Sequence, residues 1–206
     1  MRFEAKQGTL RITPAYGVWS SQAREGQTAV ESVSRCDVTK VEPDDNATAR
    51  HASATENGKA VDESRIVMAR TMQPPDANSW GNVHGGAIMR MVDEAGGAVA
   101  IRHSRKRCVT VAMDSVTFKE PVYIGDLLTV TAYLTYVGHT SLEVEAQVEA
   151  EDLRTGERRH AGTSYLVYVA LDDNGAPTPV PPLILRTDEE RERWKAAEAR
   201  RARRAR

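Results

Sequence analysis

The amino-acid sequence predicts an α+β domain, with one long helix wrapped by one face of a curved antiparallel sheet of about five strands. Three observations carry this. Residues 84–103 form a helix-length segment that is apolar nearly all round, so it must be enclosed. One strand-like run precedes it and four follow. Short turns separate the last runs, which makes them antiparallel neighbours. One helix cannot cover both faces of such a sheet, but one curved face can wrap it.

The elements follow in order. Residues 1–60, with "SSQAREGQTAVESVSR" and "EPDDNATARHASATENGK", lack helical or strand period over any useful length. Only "GTLRITPAYGVW" has strand character there. A disordered extension is expected over 1–60, and a tail that docks on a partner is the alternative. The folded domain is expected over 61–186. In "SRIVMARTM", Ile66 and Met68 share one strand face, with Val67 and Ala69 on the other. After the helix, "CVTVAMDSVTF" (108–118) is β-rich and "PVYIGD" is a turn. "LLTVTAYLTYV" (127–137) is a strand ended by Gly138. "TSLEVEAQVEAE" (140–151) alternates strictly: Leu142, Val144, Ala146, Val148 and Ala150 face one way, and Glu143, Glu145, Gln147, Glu149 and Glu151 the other. The acidic face is expected to be wet. "RTGE" turns the chain into "AGTSYLVYVAL" (161–171), and "DDNGAPTPVPP" is a loop that cannot enter a sheet. The tail 187–206 is a charged helix with acids first and bases last, matching the helix macrodipole. A solvated helix end is expected there, with an RNA or phosphate site as the alternative.

Composition narrows the function. Of 206 residues, 28 are Lys or Arg and 29 Asp or Glu, a net charge of -1 that gives no reason to expect nucleic acid. No run of about 18 apolar residues exists to cross a membrane. Cys36 and Cys108 are far apart and have no neighbour at metal-ligand or redox spacing. A reducing cytoplasm is the simpler expectation. His84 invites a metal, but its helical partner position holds Ile88, and the other histidines are scattered, so no metal is expected.

The chemistry concentrates in "GNVHGGAIMRMVDEAGG" (81–97). Its glycines fit neither the dinucleotide fingerprint nor a phosphate loop. Gly85 and Gly86 sit where the helix begins and leaves backbone N–H groups unpaired. They either let a carbonyl oxygen approach those amides, as in an oxyanion hole, or only allow tight packing. His84 is expected to fix the loop through its ring. Asp93 shares a small, apolar helix face with Gly86, Met89, Arg90, Gly97 and Ala100. It is either paired with Arg90 or a desolvated candidate for general base or nucleophile. Asn82 either caps the helix or holds a water or carbonyl with its amide. Asn82 and Asp93 lie eleven residues apart, about 16 Å along a helix. If both act, Asn82 of one subunit must face Asp93 of another across a two-fold interface.

Residues from about 64 to 186 resemble a hotdog-fold domain, nearest the acyl-CoA thioesterases of the brain acyl-CoA hydrolase type and their bacterial short-chain relatives. The matching text is "PPDANSWGNVHGGAIMRMVDEAGGAVAIRHS", "RCVTVAMDSVTFKEPVYIGD", "VGHTSLEVEAQVEAEDLRTGE" and "NGAPTPVPPL". The resemblance implies a double hotdog, a homodimer often assembled as a trimer of dimers. It implies a site formed by an Asn of one domain and an Asp of the other, matched here by Asn82 and Asp93. It also implies CoA contacts at the "VGHTS" turn, with Gly138, Thr140 and Ser141. The expected activity is hydrolysis of acyl-CoA to a carboxylic acid and CoA, with no cofactor. A non-enzymatic acyl-CoA-sensing module is the alternative, and a base such as Asp93 argues against it.

Overall fold

The computed structural model describes residues 57–204. The expectations for "GTLRITPAYGVW", for Cys36 and for residues 1–56 of the extension lie outside the described residues. Eleven elements follow in order: β1 (Lys59–Ala60), α1 (Val61–Ser64), β2 (Ile66–Thr71), a 3-10 turn (Pro74–Asp76), α2 (Gly85–Ser104), β3 (Arg107–Phe118), β4 (Leu127–Val137), β5 (Ser141–Asp152), β6 (Glu157–Leu171), β7 (Leu183–Ile184) and α3 (Asp188–Arg204). Five strands form one antiparallel sheet in the order β2-β4-β5-β6-β3, while β1 and β7 form a short parallel pair. The long helix against one curved sheet is the hotdog arrangement that the sequence predicts.

Period-two alternation sets the inner face. Leu128, Val130, Ala132 and Leu134 of β4 lie opposite Ala150, Val148, Ala146 and Val144 of β5, and all are buried. They pack against Ile88, Met91, Val92, Ala95 and Val99 of α2 in one core. The helix ends at Arg105, which takes the left-handed conformation at φ 57° and donates its N–H to Ile101 O. The Lys59 amine closes that end on the carbonyl of His103 at 2.5 Å. The buried His103 ring ties three segments together, contacting Ser64 Oγ at 3.1 Å and Pro181 O at 2.8 Å. Its burial pushes its pKa down. No helix among the described residues is long and apolar enough to cross a membrane.

Two expectations are corrected on the outer face. Glu143 and Glu145 are not wet: they are 1% and 7% exposed, because α3 lies over this part of the sheet. Nor is the basic end of α3 a solvated helix end. Trp194 stacks on Tyr136 with ring centroids 4.3 Å apart, and Ala197 is fully buried. Arg200 Nη2 reaches Glu143 Oε1 at 2.7 Å, Arg204 reaches Glu143 Oε2 at 3.0 Å and also Asp114, and Arg201 donates to Tyr136 Oη at 2.7 Å. The physical reason is that an arginine stem is apolar enough to bury while its fork finds a carboxylate. Only the far part of β5 meets solvent, at Glu149.

Candidate active site

The loop before α2 is closed by its own backbone. Asn78 donates its N–H to Asn82 O at 2.7 Å, and Gly81, at φ +87°, donates to Asn78 O at 3.2 Å. A positive φ at this turn suits glycine. The Asn78 side-chain oxygen accepts the Trp80 N–H at 2.8 Å and the Asn82 N–H at 3.2 Å. With that oxygen held, its amide nitrogen is the free end, and it has no acceptor among the described residues. Asn82 is not the helix cap; its backbone bridges to Tyr123. His84 caps α2, its Nδ1 accepting the Gly86 N–H at 2.9 Å, so its ring fixes the loop. A Cβ on Gly86 would come within 3.0 Å of that nitrogen. Gly86 therefore spends its amide on His84. The Gly85 N–H has no partner among the described residues, and the Phe118 ring lies about 3.5 Å from where a Cβ on Gly85 would stand. An open groove of about 610 Å³ runs beside the helix start, between Met68 and Arg70 of β2 and Gly86, Arg90 and Met91 of α2.

Asp93 lies on the side of α2 that meets β3 and β6. Its Oδ1 accepts Thr110 Oγ1 at 2.7 Å and Tyr168 Oη at 3.2 Å. The Tyr168 hydroxyl also lies 3.2 Å from the Asp93 carbonyl oxygen. Thr110 and Tyr168 are direct cross-strand partners, so one register pair delivers both hydroxyls. Oδ2 has no partner among the described residues. The alternative pairing with Arg90 is excluded, because Arg90 Nε bonds Glu94 Oε1 at 2.9 Å on the exposed side. The Tyr168 phenol is pushed well above its ordinary range, first by burial and then by the Asp93 charge. Gly96 makes this contact possible: a Cβ there would overlap the Tyr168 hydroxyl.

Within one chain no hydrogen bond joins the 76–84 loop to Asp93, so the Asn–Asp pair is not assembled there. At the β4–β5 turn, Gly138 N–H donates to Ser141 O at 2.8 Å, and Thr140 O accepts the Ala170 N–H at 2.9 Å. Ser141 Oγ sits close against Gly138, where a Cβ would come within 2.9 Å. Thr110 and Tyr168, which hold Asp93, and Asn78, with its free amide nitrogen, are candidates that the sequence did not single out. Strand register brings in the first two, which no spacing reveals. An Asn three residues before a turn glycine is the signal for the third.

A family model described as "Thioesterase superfamily" matches residues 81–157. An uncharacterised acyl-CoA thioester hydrolase of Bacillus subtilis is 42% identical over 128 residues, which cover 62% of this chain and 74% of that protein. A crystal structure of a hexameric acyl-CoA thioesterase is similar at a TM-score of 0.70 and 36% identity, covering 72% of this chain and 96% of that one. An acyl-CoA hydrolase of Staphylococcus aureus, solved with butyryl coenzyme A and coenzyme A, matches at a TM-score of 0.67 and 35% identity over 71% of this chain and 90% of that one. Alanine variants of the Staphylococcus aureus protein were solved at an aspartate, at an asparagine fifteen residues before it and at a threonine seventeen residues after it. Counted from Asp93, those spacings fall on Asn78 and Thr110.

Proposed function

The chain belongs to the hotdog-fold acyl-CoA thioesterases of the thioesterase superfamily, and from that membership we propose how it cleaves acyl-CoA into a carboxylic acid and CoA. Asp93 acts through Oδ2, because Oδ1 is held by Thr110 and Tyr168. It removes a proton from the attacking water, or attacks the thioester carbonyl itself to give a mixed anhydride that water opens. The Gly85 amide at the start of α2 stabilises the oxyanion. A thiolate leaves readily, with an ordinary thiol pKa of ~8.5, so no strong general acid is required. Asn78 orients the water or the carbonyl with its free amide nitrogen. This moves the role from Asn82 to Asn78, whose oxygen is pinned by two backbone donors and whose spacing from Asp93 matches the Staphylococcus aureus variant.

The observation that carries a shared site is where the two half-sites lie along β3. This twelve-residue strand is at the sheet edge, with its outer backbone groups unpaired by any described strand. Thr110, near its start, holds Asp93; Phe118, at its end, covers Gly85. Antiparallel pairing of β3 with a second copy would set the start of one strand opposite the end of the other. Asp93 of one subunit would then approach Gly85 and Asn78 of its partner, with two complete sites per dimer. The hexameric relative supports oligomeric assembly, and a trimer of dimers is the arrangement we propose for it. For CoA we propose the β4–β5 turn with Gly138, Thr140 and Ser141, a reading supported by the resemblance of "VGHTS" to a CoA-contacting stretch. A cytoplasmic location remains our expectation from the sequence, whose two cysteines have no neighbour at metal-ligand or redox spacing.

The test is complementation. Asp93→Asn and Asn78→Ala each should lose at least about a hundredfold in turnover, read by thiol release. Mixing the two with subunit exchange should recover activity, since one site of each mixed dimer is whole. Failure to recover in verified mixed dimers counts against sharing. An inactive Asn82→Ala beside an active Asn78→Ala returns the amide role to Asn82.

A further inference from the structure

We propose that Tyr168 is a positioning residue for the hydrolysis: its hydroxyl, seated against Gly96, joins Thr110 in holding Asp93 Oδ1 so that Oδ2 alone faces the substrate. The inference rests on the thioesterase reading and adds to it the device that aims the base.

The geometry is specific. Tyr168 is 1% exposed, so its hydroxyl cannot exchange this partner for bulk water. It meets both Asp93 Oδ1 and the Asp93 carbonyl oxygen at 3.2 Å. Contact with the side chain and the backbone of one residue fixes the carboxylate relative to its own helix. Gly96, three residues further on α2, is the only residue type that leaves room, because any Cβ would overlap the hydroxyl. A tyrosine elsewhere on the strand would not reach: Tyr165 belongs to the opposite face of β6, opposite Glu145. The donors at Asp93 are neutral, so they hold the anion without cancelling its charge. The other groups that face the pair are few. Cys108 on β3 is a thiol whose pKa burial pushes up. Arg90 and Glu94 on α2 are bound to one another on the exposed side.

The experiment is the pH profile of kcat/KM for acyl-CoA hydrolysis by wild type, Tyr168→Phe and Gly96→Ala. The phenylalanine keeps the ring against Gly96 and removes only the hydroxyl. A carboxylate that loses a donor is less well stabilised as the anion, so its pKa rises. The acidic limb of the Tyr168→Phe profile should move to higher pH. The plateau should fall about tenfold with KM little changed. Gly96→Ala displaces the same hydroxyl, so it should show the same shift, and the double variant should be no worse than either single one. This second variant tests the contact even where Tyr168→Phe folds poorly. An unshifted limb with wild-type turnover in either folded variant overturns the positioning role alone. Wild-type protein without turnover on any acyl-CoA overturns the thioesterase reading, and the positioning role with it.

Discussion

Carboxylates lie against the two opposite faces of one sheet, and the protein treats them in opposite ways. On the inner face, Asp93 receives hydroxyls from Thr110 and Tyr168 and meets no cation. On the outer face, Glu143 receives the Arg200 and Arg204 guanidiniums and the Thr135 hydroxyl at 2.8 Å, so both its oxygens are occupied. A tyrosine serves each face, Tyr168 donating to Asp93 and Tyr133 to Glu145 at 2.8 Å. The difference teaches that neutral donors orient an acid while leaving it basic, whereas cations turn it into a clamp. One arrangement suits chemistry, and the other fastens α3 over the sheet.

The largest effect that would break this contrast is on stability. Glu143→Gln removes the charge that two partly buried guanidiniums share, and breaking such a pair costs about 3–5 kcal/mol. Urea unfolding should show that loss, while the protein that remains folded keeps wild-type turnover per site. Asp93→Asn should do the reverse, losing turnover with a small change in urea midpoint. If Glu143→Gln inactivates without destabilising, the outer cluster is not a clamp.

The next effect is alkaline. Burial, and then the neighbouring acids, push the Tyr133 and Tyr168 phenols above their ordinary range. Each raised phenol stays protonated in the folded state after it would ionise in the unfolded chain, at about pH 10. The stability that these groups contribute is therefore fully present below about pH 10 and lost as pH rises above it. Melting temperature should fall steeply above that pH. Tyr133→Phe should flatten the fall with turnover at neutral pH unchanged, because its partner is Glu145 on the clamp face.

The same contrast marks what was legible in the sequence. The helix, predicted over 84–103, spans Gly85–Ser104, and the strand predicted over 127–137 is β4, because apolar period alone sets both. β6 begins at Glu157, earlier than the expected 161, since its first residues are polar and join the sheet only by pairing with the end of β5. The acidic alternation of β5 was readable, but what covers it was not. The covering face of α3 carries Trp194, Ala197, Arg200, Arg201 and Arg204, and arginine reads as solvated until its carboxylate partner is known. Asp93 stood out because a lone acid on a glycine-rich apolar helix face needs a reason. Its two donors came from strand register, which a single sequence does not encode in any local spacing.

The smallest effect sharpens the inner half of the comparison. Arg90 lies three residues before Asp93 and is the cation nearest to it along the helix, yet its fork bonds Glu94 with both side chains more than half exposed. An exposed pair at this spacing contributes about 0.3–0.5 kcal/mol. Arg90→Ala should therefore change the urea midpoint only within that range and leave the acidic limb of the kcat/KM profile in place. A cation bound to Asp93 would give a different result, because its loss raises the carboxylate pKa and moves that limb upward. The unmoved limb, set beside the shifted one of Tyr168→Phe, would show that Asp93 is governed by hydroxyls across the sheet and not by the charge on its own helix.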